Sequence, residues 1–497
     1  MKTLSTYSPI SLRYIAALRG NIPSKIHQEF TYADACCRTP EALICLAASN
    51  PDGRFYGFVA NDTDRRAAED LAVQREIFNI IFLTGTPSDI LERLDKGSSL
   101  PPMLDYLCCD ESDESLPADA RTALFELAQK RLNPGGLFVT TYHILSRRDD
   151  TLRLLAQSAA GETDPAKKSA FLSEIKTMGS PFFAENPTIL DTLNKAITSG
   201  EPQPFFDAFN DTAAVSKTIE TILGIGSRGF VYAGDTLLSS NFAEATLSHE
   251  AYDLIAARRK DVLYEVFKDF ALNRQVRSDI WIKEPSERTD SVGVLFGGFA
   301  YGLLSKRSAV PKEHTALGGS FNLSSSLFEN ILDLMALMPV GVGDIMNRYP
   351  DLANEPHKII ESIQVLIACG YVAPMRGIRE PLHTETIAQP RFVGSFNRFF
   401  DKVHLSDEDV VLASTVAGCG VVLSARDAFV MQAINRAGLT NSVAALLPEL
   451  CRIAGTPVGQ SIIRANEATA EIAHAMVLDS VEKSLPQWYA YALLEAA

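Results

Sequence analysis

The sequence predicts an α/β protein, with an N-terminal doubly wound, Rossmann-like domain followed by α-rich domains. Three observations support this fold class. Apolar segments of strand length alternate with helical segments through residues 1–146, and turns rich in Pro, Gly and Asn separate them. The sequence after this region is more polar and reads mainly as helix. A length of 497 residues allows several domains.

The first 146 residues contain repeated strand and helix units. A helix begins at Ser8-Pro9, with Ser as the N-cap and Pro at the first helical position, and it ends at Gly20. Thr39-Pro40 begins the next helix in the same way. Units of this size predict a parallel sheet with helices on both faces. The predicted strands are 30–36, 54–60, 79–83, 103–109 and 137–142.

Doubly wound sheets bind ligands beyond the carboxyl ends of their strands. We therefore expect any ligand site at the edge where these five strands end. The residues that follow the strands are the candidate site residues, and the segments involved are 34–38, 59–62, 109–111 and 142–143.

Two groups of segments resemble a known family. The segment 132–137 (LNPGGL) resembles the helix-to-strand turn of class I S-adenosylmethionine-dependent methyltransferases. Three further segments resemble bacterial methyltransferases that carry a methyltransferase regulatory domain, and they are 229–238 (GFVYAGDTLL), 269–283 (DFALNRQVRSDIWIK) and 412–429 (LASTVAGCGVVLSARDAF). The family includes protein-lysine methyltransferases, so the resemblance implies S-adenosylmethionine as cofactor and a protein as substrate.

The resemblance places the family's acid-x-Gly-x-Gly-x-Gly turn on residues 34–40. Asp34 keeps the acid, but Cys36, Arg38 and Pro40 occupy the glycine positions. Glycines there let the backbone approach the cofactor and adopt positive φ angles. We therefore expect the cofactor turn to be degenerate.

The other strand ends also depart from the family pattern. The acid that would hold the ribose hydroxyls falls on Val59, and Asn61 or Asp62 could replace it only if the turn shifted. After the fourth strand an acidic run, 110–115, replaces an apolar stretch. After the fifth strand Tyr142 and His143 remain as the catalytic candidates, since a histidine can serve as a general base.

The family-equivalent cofactor positions are therefore mostly altered. They are Asp34, Cys36, Arg38, Val59, Asn61 and Asp110. Asp34 either orients the amino acid end of the cofactor or caps the following turn. Arg38 either forms an anion site at a helix N-terminus or covers the pocket, paired with Asp110 or Glu111.

Four cysteines lie near the carboxyl ends of the first and fourth predicted strands, and more than one role is open for them. Cys36-Cys37 and Cys108-Cys109 lie at the ends of strands that are neighbours in the class I sheet order, so the thiols could form a redox pair or a soft-metal site, or fill strand ends as small buried residues. None of the eight cysteines has the spacing of a zinc site, and we predict no metal.

Composition restricts the partners and the compartment. A net charge of −15 argues against nonspecific binding to nucleic acid or to an anionic membrane. No apolar run reaches the length of a membrane span, and the N-terminus lacks the pattern of a signal peptide. We expect a cytoplasmic protein with free thiols.

The chain behind residue 146 divides into four predicted parts. Residues 147–225 form a helical linker or dimerisation segment, and residues 226–320 hold the regulatory domain. Residues 321–380 read as a winged helix whose charges balance, which favours protein contact over DNA. Residues 381–497 read as a mostly helical C-terminal domain.

These observations favour a methyltransferase-like protein with a degenerate S-adenosylmethionine pocket, which acts as a non-catalytic regulatory or structural partner. The alternative is an active S-adenosylmethionine-dependent protein methyltransferase. A DNA-binding regulator is the third and weakest hypothesis. In each of the first two cases the partner is a protein, and a homo- or hetero-dimer is possible.

Overall fold

A computed structural model describes most of the chain. The described residues are 2–4, 6–22, 29–96, 103–112, 116–144, 152, 155–156, 159, 161–209, 217–257, 263–285, 288–316, 319–379, 390–400, 408–437 and 484–496. The chain begins with strand β1 (Lys2–Leu4) and helix α1 (Pro9–Leu18). Ser8 caps α1, as predicted, because its hydroxyl accepts a hydrogen bond from the Ser11 amide.

A seven-stranded sheet forms the centre of the N-terminal part. Its order is β4-β3-β2-β5-β6-β8-β7, and the strands are β2 (Phe30–Asp34), β3 (Gly53–Val59), β4 (Ile80–Thr84), β5 (Leu104–Ser112), β6 (Leu132–His143), β7 (Phe230–Asp235) and β8 (Val276–Lys283). Strands β2 to β6 are mutually parallel, and β8 is antiparallel to both of its neighbours. The predicted doubly wound sheet is confirmed.

Helices cover both faces of this sheet. Apolar residues of α1, α2 (Pro40–Ser49) and α3 (Asp62–Gln74) belong to one hydrophobic cluster, which packs on one face. Residues of α4 (Pro87–Asp95) and α5 (Ala118–Arg131) belong to the cluster on the opposite face. The alternation of inward residues along each strand supplies apolar side chains to both clusters.

The domain boundary predicted at residue 146 is wrong as a limit of the sheet. Strands β7 and β8 complete the sheet, although 86 residues separate β6 from β7. The chain leaves the sheet after His143 and returns at Phe230. The first part of the predicted regulatory domain is therefore an edge of the Rossmann-like sheet.

A helical layer is formed by the segments between β6 and β7 and between β7 and β8. The helices are α6 (Pro165–Thr177), α7 (Phe182–Glu185), α8 (Pro187–Ser199), α9 (Gln203–Phe209), α10 (Lys217–Gly226), α11 (Ala243–Thr246), α12 (His249–Ala256) and α13 (Tyr264–Ala271), with a 3-10 turn at Leu238–Asn241. All of these helices except α10 contribute to one apolar cluster, which contains residues from both sides of β7, whereas Ile225 of α10 belongs to the cluster that covers the sheet together with α4 and α5.

A small mixed unit follows the large sheet. It has α14 (Val292–Phe296), β9 (Ala300–Leu303), a hairpin of β10 (Glu313–Ala316) and β11 (Gly319–Asn322), α15 (Ser326–Met335), β12 (Val340–Gly341), α16 (Val342–Arg348), α17 (Pro356–Ala368) and β13 (Val372–Met375), with 3-10 turns at Arg307–Ala309 and Pro350–Leu352. A three-stranded antiparallel sheet has the order β12-β9-β13. Its central strand lies outside the predicted range 321–380, so this unit begins earlier than expected.

The described C-terminal residues contain strands as well as helices, and much of the segment predicted to be mostly helical, including 438–483, lies outside the described residues. The elements are β14 (Pro390–Phe392), α18 (Gly394–Phe399), β15 (Val410–Ser414), β16 (Cys419–Leu423), α19 (Ala425–Ala437), α20 (Leu485–Ala490) and β17 (Leu494–Ala496). Strand β1 from the N-terminus pairs with β16, and β14 pairs with β17. These residues share the cluster that also covers the large sheet.

The structure contains no helix, among the residues it describes, with the length and apolar character needed to cross a membrane.

Candidate functional site

The turn after β2 is fixed by backbone hydrogen bonds to both neighbouring strands. The Ala35 amide donates to the Cys108 carbonyl over 2.8 Å, and the Cys37 amide donates to the Phe58 carbonyl over 2.8 Å. The Asp34 carboxylate accepts a hydrogen bond from the Cys36 amide at 3.1 Å. Asp34 therefore caps its own turn, which is one of the two roles expected for it.

Side chains take the place of glycines along this turn. Cys36 is half-buried, while Arg38 and Thr39 are exposed, and Pro40 begins α2. Arg38 lies at the rim of the sheet edge rather than inside it. Asp110, one of its two expected partners, accepts a hydrogen bond from the Tyr7 hydroxyl.

Two cavities open above the carboxyl ends of the parallel strands. The larger has a volume of about 670 Å³ and lies over the ends of β2, β3 and β4. The smaller has a volume of about 300 Å³ and lies between β2, β5 and the N-terminal segment. Cys36, Arg38 and Thr39 line both cavities. The three residues therefore form a shared wall at the position of the family's glycine turn.

The end of β3 contributes an apolar side chain to the larger cavity, since Val59 lines it and is buried. Asn61 is exposed and caps α3, since its side chain accepts a hydrogen bond from the Asp64 amide at 2.9 Å. Asp62 accepts hydrogen bonds from Thr84 and Arg65. Neither Asn61 nor Asp62 is a wall residue of the cavity, whereas Glu41 and Asp64 are.

The smaller cavity is lined by two carboxylates that were predicted from the sequence and by a tyrosine that was not. Tyr7 lines it beside Asp34 and Asp110. The Tyr7 hydroxyl lies 3.2 Å from the Ser278 hydroxyl and 3.3 Å from the Thr141 hydroxyl. Tyr7 thus connects the cavity to β6 and β8. No sequence signal indicated this role, because its partners lie more than 100 residues away.

Burial controls the titration of Asp34. Removal from water raises the pKa of Asp34 to about 7, and the negative charge of Asp110 acts in the same direction. Hydrogen bonds from the Cys36 amide and the Cys37 thiol oppose this rise. The Asp34 carboxyl is therefore divided between its neutral and charged forms near neutral pH.

Tyr142 and His143 do not line either cavity. Tyr142 is fully buried, and its hydroxyl donates to the Asp279 carboxylate over 2.5 Å. Burial, followed by the charge of Asp279, holds the pKa of Tyr142 well above its usual range. Tyr142 is placed as a structural partner of β8, which argues against its expected catalytic role. His143 is half-buried at the end of β6.

The segment 264–279 forms a buried ionic cluster beneath the helical layer. The Arg277 guanidinium is fully buried and pairs with Asp269 at 2.9 Å, Asp279 at 2.9 Å and Glu265 at 3.0 Å. Lys268 also pairs with Glu265, at 2.7 Å. Burial alone would raise the pKa of Glu265, but Lys268 and Arg277 hold it well below its usual range. The cluster fastens α13 to β8.

The described cysteines are free thiols, and Cys37, Cys108 and Cys109 are buried. Burial raises the pKa of the Cys37 and Cys108 thiols well above their usual range, which disfavours the reactive thiolate. Within the described residues, no three His, Cys, Asp or Glu side chains come together in a way that could hold a metal ion.

Part of the chain, which includes the buried ionic cluster, matches a known family model. Residues 205–283 match the model of a predicted methyltransferase regulatory domain. The matched segment contains β7, α13, β8 and the buried cluster around Arg277. The segment 269–283, one of the three in which the sequence resembles methyltransferases with a regulatory domain, thus lies within the matched range.

The whole fold matches solved structures of a methyltransferase. PKMT2 from Rickettsia typhi, a protein-lysine methyltransferase, superposes with a TM-score of 0.61 at 14% identity, covering 99% of both chains. The same protein in complex with AdoHcy superposes with a TM-score of 0.60, again at 14% identity and 99% of both chains. The protein sll1526 from Synechocystis sp. is 19% identical over 445 residues, which is 86% of this chain and 85% of that protein. The chain therefore has a methyltransferase-like fold with a regulatory domain.

Proposed function

We propose that this chain is a non-catalytic, methyltransferase-like protein that acts as a regulatory or structural partner of another protein. The observation that carries the proposal is the wall of Cys36, Arg38 and Thr39, which lines both cavities at the sheet edge. In the family's arrangement this position holds glycines, and the cofactor lies close to their backbone. A single cofactor molecule that extended across both cavities would have to pass this position. Side chains at these positions occupy that space.

The surroundings of the wall support the same proposal. A cofactor with a ribose needs a carboxylate at the end of β3, and the apolar Val59 is buried there. Asn61 and Asp62, which follow Val59 closely in the chain, are engaged with α3 and β4, and the two carboxylates that line the cavity, those of Glu41 and Asp64, belong to α2 and α3. The residues present therefore do not fit S-adenosylmethionine in the way the family binds it, and we derive no chemical step through that cofactor.

The rest of the fold is well packed, which favours a protein that has kept a binding function over a protein that has lost all function. The buried cluster of Arg277, Glu265, Asp269 and Asp279 keeps every charge paired. An unpaired charge at such a site would be costly. The regulatory-domain segment is therefore intact as a structural unit, which is what a protein that acts through its surface requires.

Calorimetric titration of the full-length protein with S-adenosylmethionine, and separately with S-adenosylhomocysteine, tests the proposal. We expect no saturable heat at ligand concentrations up to about 1 mM. The variant Cys36→Gly/Arg38→Gly removes both side chains from the wall and is the matched comparison. Binding that appears only in this variant would identify the wall as the obstruction, whereas saturable binding by the unaltered protein would overturn the proposal.

The second candidate function is an active S-adenosylmethionine-dependent protein methyltransferase. The larger cavity favours it, since about 670 Å³ lies within the usual range for small-molecule sites. A relative of the same fold has been solved with AdoHcy, which supports S-adenosylmethionine as the cofactor of an active member. Under this alternative, the purified protein transfers labelled methyl groups to a protein acceptor, and the signal disappears when the label is diluted with unlabelled cofactor.

A further inference from the structure

A third cavity lies away from the sheet edge, where the end of α3 meets the C-terminal residues. Its volume is about 460 Å³. The wall is formed by the last residue of α3, one residue that follows this helix and six residues of the C-terminal part, namely Gln74, Glu76, Arg391, Phe392, Ser395, Arg398, Phe399 and Asn435. Six of these eight side chains are polar or charged. The cavity shares no wall residue with the two cavities at the sheet edge.

Two arginines on this wall have unused hydrogen-bonding capacity. In the part of the chain that the structure describes, Arg391 and Arg398 form no side-chain hydrogen bond and no ion pair, and both are exposed. Glu76 shares the wall, and Glu495 lies opposite Arg391 in the pairing of β14 with β17, but neither carboxylate forms an ion pair with them within that same part. Arg75 next to this wall is different, because it pairs with Glu41 at 2.8 Å.

The wall that carries the arginines is held in place from both sides. The Ser395 hydroxyl lies 3.3 Å from the Glu76 carbonyl, to which it donates. The Arg75 guanidinium stacks over the rings of Phe396 and Phe399, with distances of 4.8 and 4.1 Å to their centroids. The Asn435 side chain accepts a hydrogen bond from the Phe392 amide at 3.1 Å. The two guanidiniums therefore project from a fixed frame.

We propose that this cavity binds a small organic oxyanion, a phosphate ester or a dicarboxylate. Guanidinium groups recognise phosphate and carboxylate oxygens through paired hydrogen bonds, and two of them match a ligand of two negative charges. The volume exceeds that of an inorganic anion and lies within the range of small-molecule sites. The ring of Phe399 offers an apolar surface to the organic part of the ligand.

Calorimetry on the full-length protein tests the site with three probes, inorganic phosphate, pyrophosphate and succinate, at constant ionic strength. We expect at least one probe to bind saturably, and the ratio of phosphate to succinate affinity identifies the preferred oxyanion. Arg391→Gln and Arg398→Gln should each weaken that binding about tenfold, because each removes a charge-assisted contact. Both side chains are exposed, so the unfolding midpoints of the variants should match that of the unaltered protein.

Two further variants are controls. Arg54→Gln removes an exposed arginine of β3 that lines none of the three cavities, and binding should not change. Arg38→Gln removes the arginine of the sheet edge, and binding should again not change. Loss of binding in Arg38→Gln would overturn the proposal by placing the anion at the other site. The absence of saturable binding with all three probes, or unchanged affinity in the Arg391→Gln/Arg398→Gln variant, would also overturn it.

Discussion

Asp34 lies at the end of β2, where its carboxylate meets both a hydrogen-bond donor and a second carboxylate. Here the Asp34 carboxylate accepts the Cys36 amide and is close enough to Asp110 to be affected by its charge. Burial raises the pKa of Asp34 to about 7, so the residue has become a group that titrates near neutrality.

This shift predicts a pH dependence of stability. An acid whose folded pKa lies above its unfolded value of about 4 binds a proton more tightly in the folded state. Burial of the charged carboxylate lowers the free energy of unfolding. This loss is absent below about pH 4, grows as the pH rises, and is complete above about pH 7. With a folded pKa of about 7, we expect the free energy of unfolding to fall by about 2–3 kcal/mol between pH 5 and 8 through Asp34.

Urea denaturation at several pH values measures this effect. In Asp34→Asn the amide oxygen can still accept the Cys36 hydrogen bond, and the decline between pH 5 and 8 should become shallower. Asp279 also has a raised pKa, of about 6, so a part of the decline should remain. A variant with the same slope as the unaltered protein would show that Asp34 does not titrate in this range.

Strand β8 shows at the scale of elements why the regulatory-domain segment has its sequence. Arg277 and Asp279 point to one face, where Arg277 pairs with both Asp279 and α13, while Ser278, between them, faces Thr141 and Tyr7 on the other side. Because successive residues of a strand face opposite sides of the sheet, β8 contacts the helical layer on one face and Tyr7, which lines the smaller cavity, on the other. The charged residues of this strand are buried because each has a partner.

Removal of the central cation should therefore be costly. Arg277→Ala leaves three buried carboxylates, those of Glu265, Asp269 and Asp279, without their shared partner, and we expect a loss of about 3–5 kcal/mol in the free energy of unfolding. The control Arg65→Ala breaks surface pairs with Glu69 and Asp62 and should lower the free energy of unfolding far less, because water already solvates these charges.

Chemical denaturation of the two variants compares these costs. Should Arg277→Ala fail to fold, Arg277→Lys keeps the charge but not the forked geometry, and it should be destabilised to an intermediate degree. Equal midpoints for Arg277→Ala and Arg65→Ala would contradict the role of the cluster.

The whole molecule is joined by an apolar cluster that runs from the large sheet into the C-terminal part. The cluster contains Tyr32 and Val139 of the sheet together with Val421 and Trp488. Polar contacts reinforce the junction, since Asn50 donates to the Gly418 carbonyl over 2.9 Å and Arg376 pairs with Asp52. Strand β1 also joins the C-terminal strands. We expect these parts to unfold together.

The two tryptophans of the chain allow a direct test. Trp281 lies in β8 and Trp488 in α20, and both are buried, in different clusters. Trp281→Phe and Trp488→Phe each leave a single fluorescent reporter. Within each variant, the fluorescence midpoint in urea should coincide with the midpoint from circular dichroism. A midpoint of the Trp488 reporter well below that of the overall secondary structure would show that the C-terminal part unfolds by itself.

The sequence alone determined the doubly wound fold, the degenerate turn after β2 and the resemblance to methyltransferases with a regulatory domain. Local signals were sufficient for these. The N-cap at Ser8, the alternation of strands and helices, and the substitution of glycines by Cys36, Arg38 and Pro40 can all be read within a short window. Side chains in place of glycines have the same consequence in any context, because they occupy space that a ligand would need.

Only the tertiary structure decided where the sheet ends, what borders the cavities and which charges are buried. Strands β7 and β8 join the sheet after a long helical excursion, so the boundary at 146 failed. Tyr7 gave no sequence signal, because Asp110, Thr141 and Ser278, to which its hydroxyl is hydrogen-bonded, are distant in the chain. The partners of Arg277 are close in the chain, but an arginine is mostly exposed and only the assembled layers show that this one is buried. Burial is a property of that assembled neighbourhood, and it cannot be read from the residue itself.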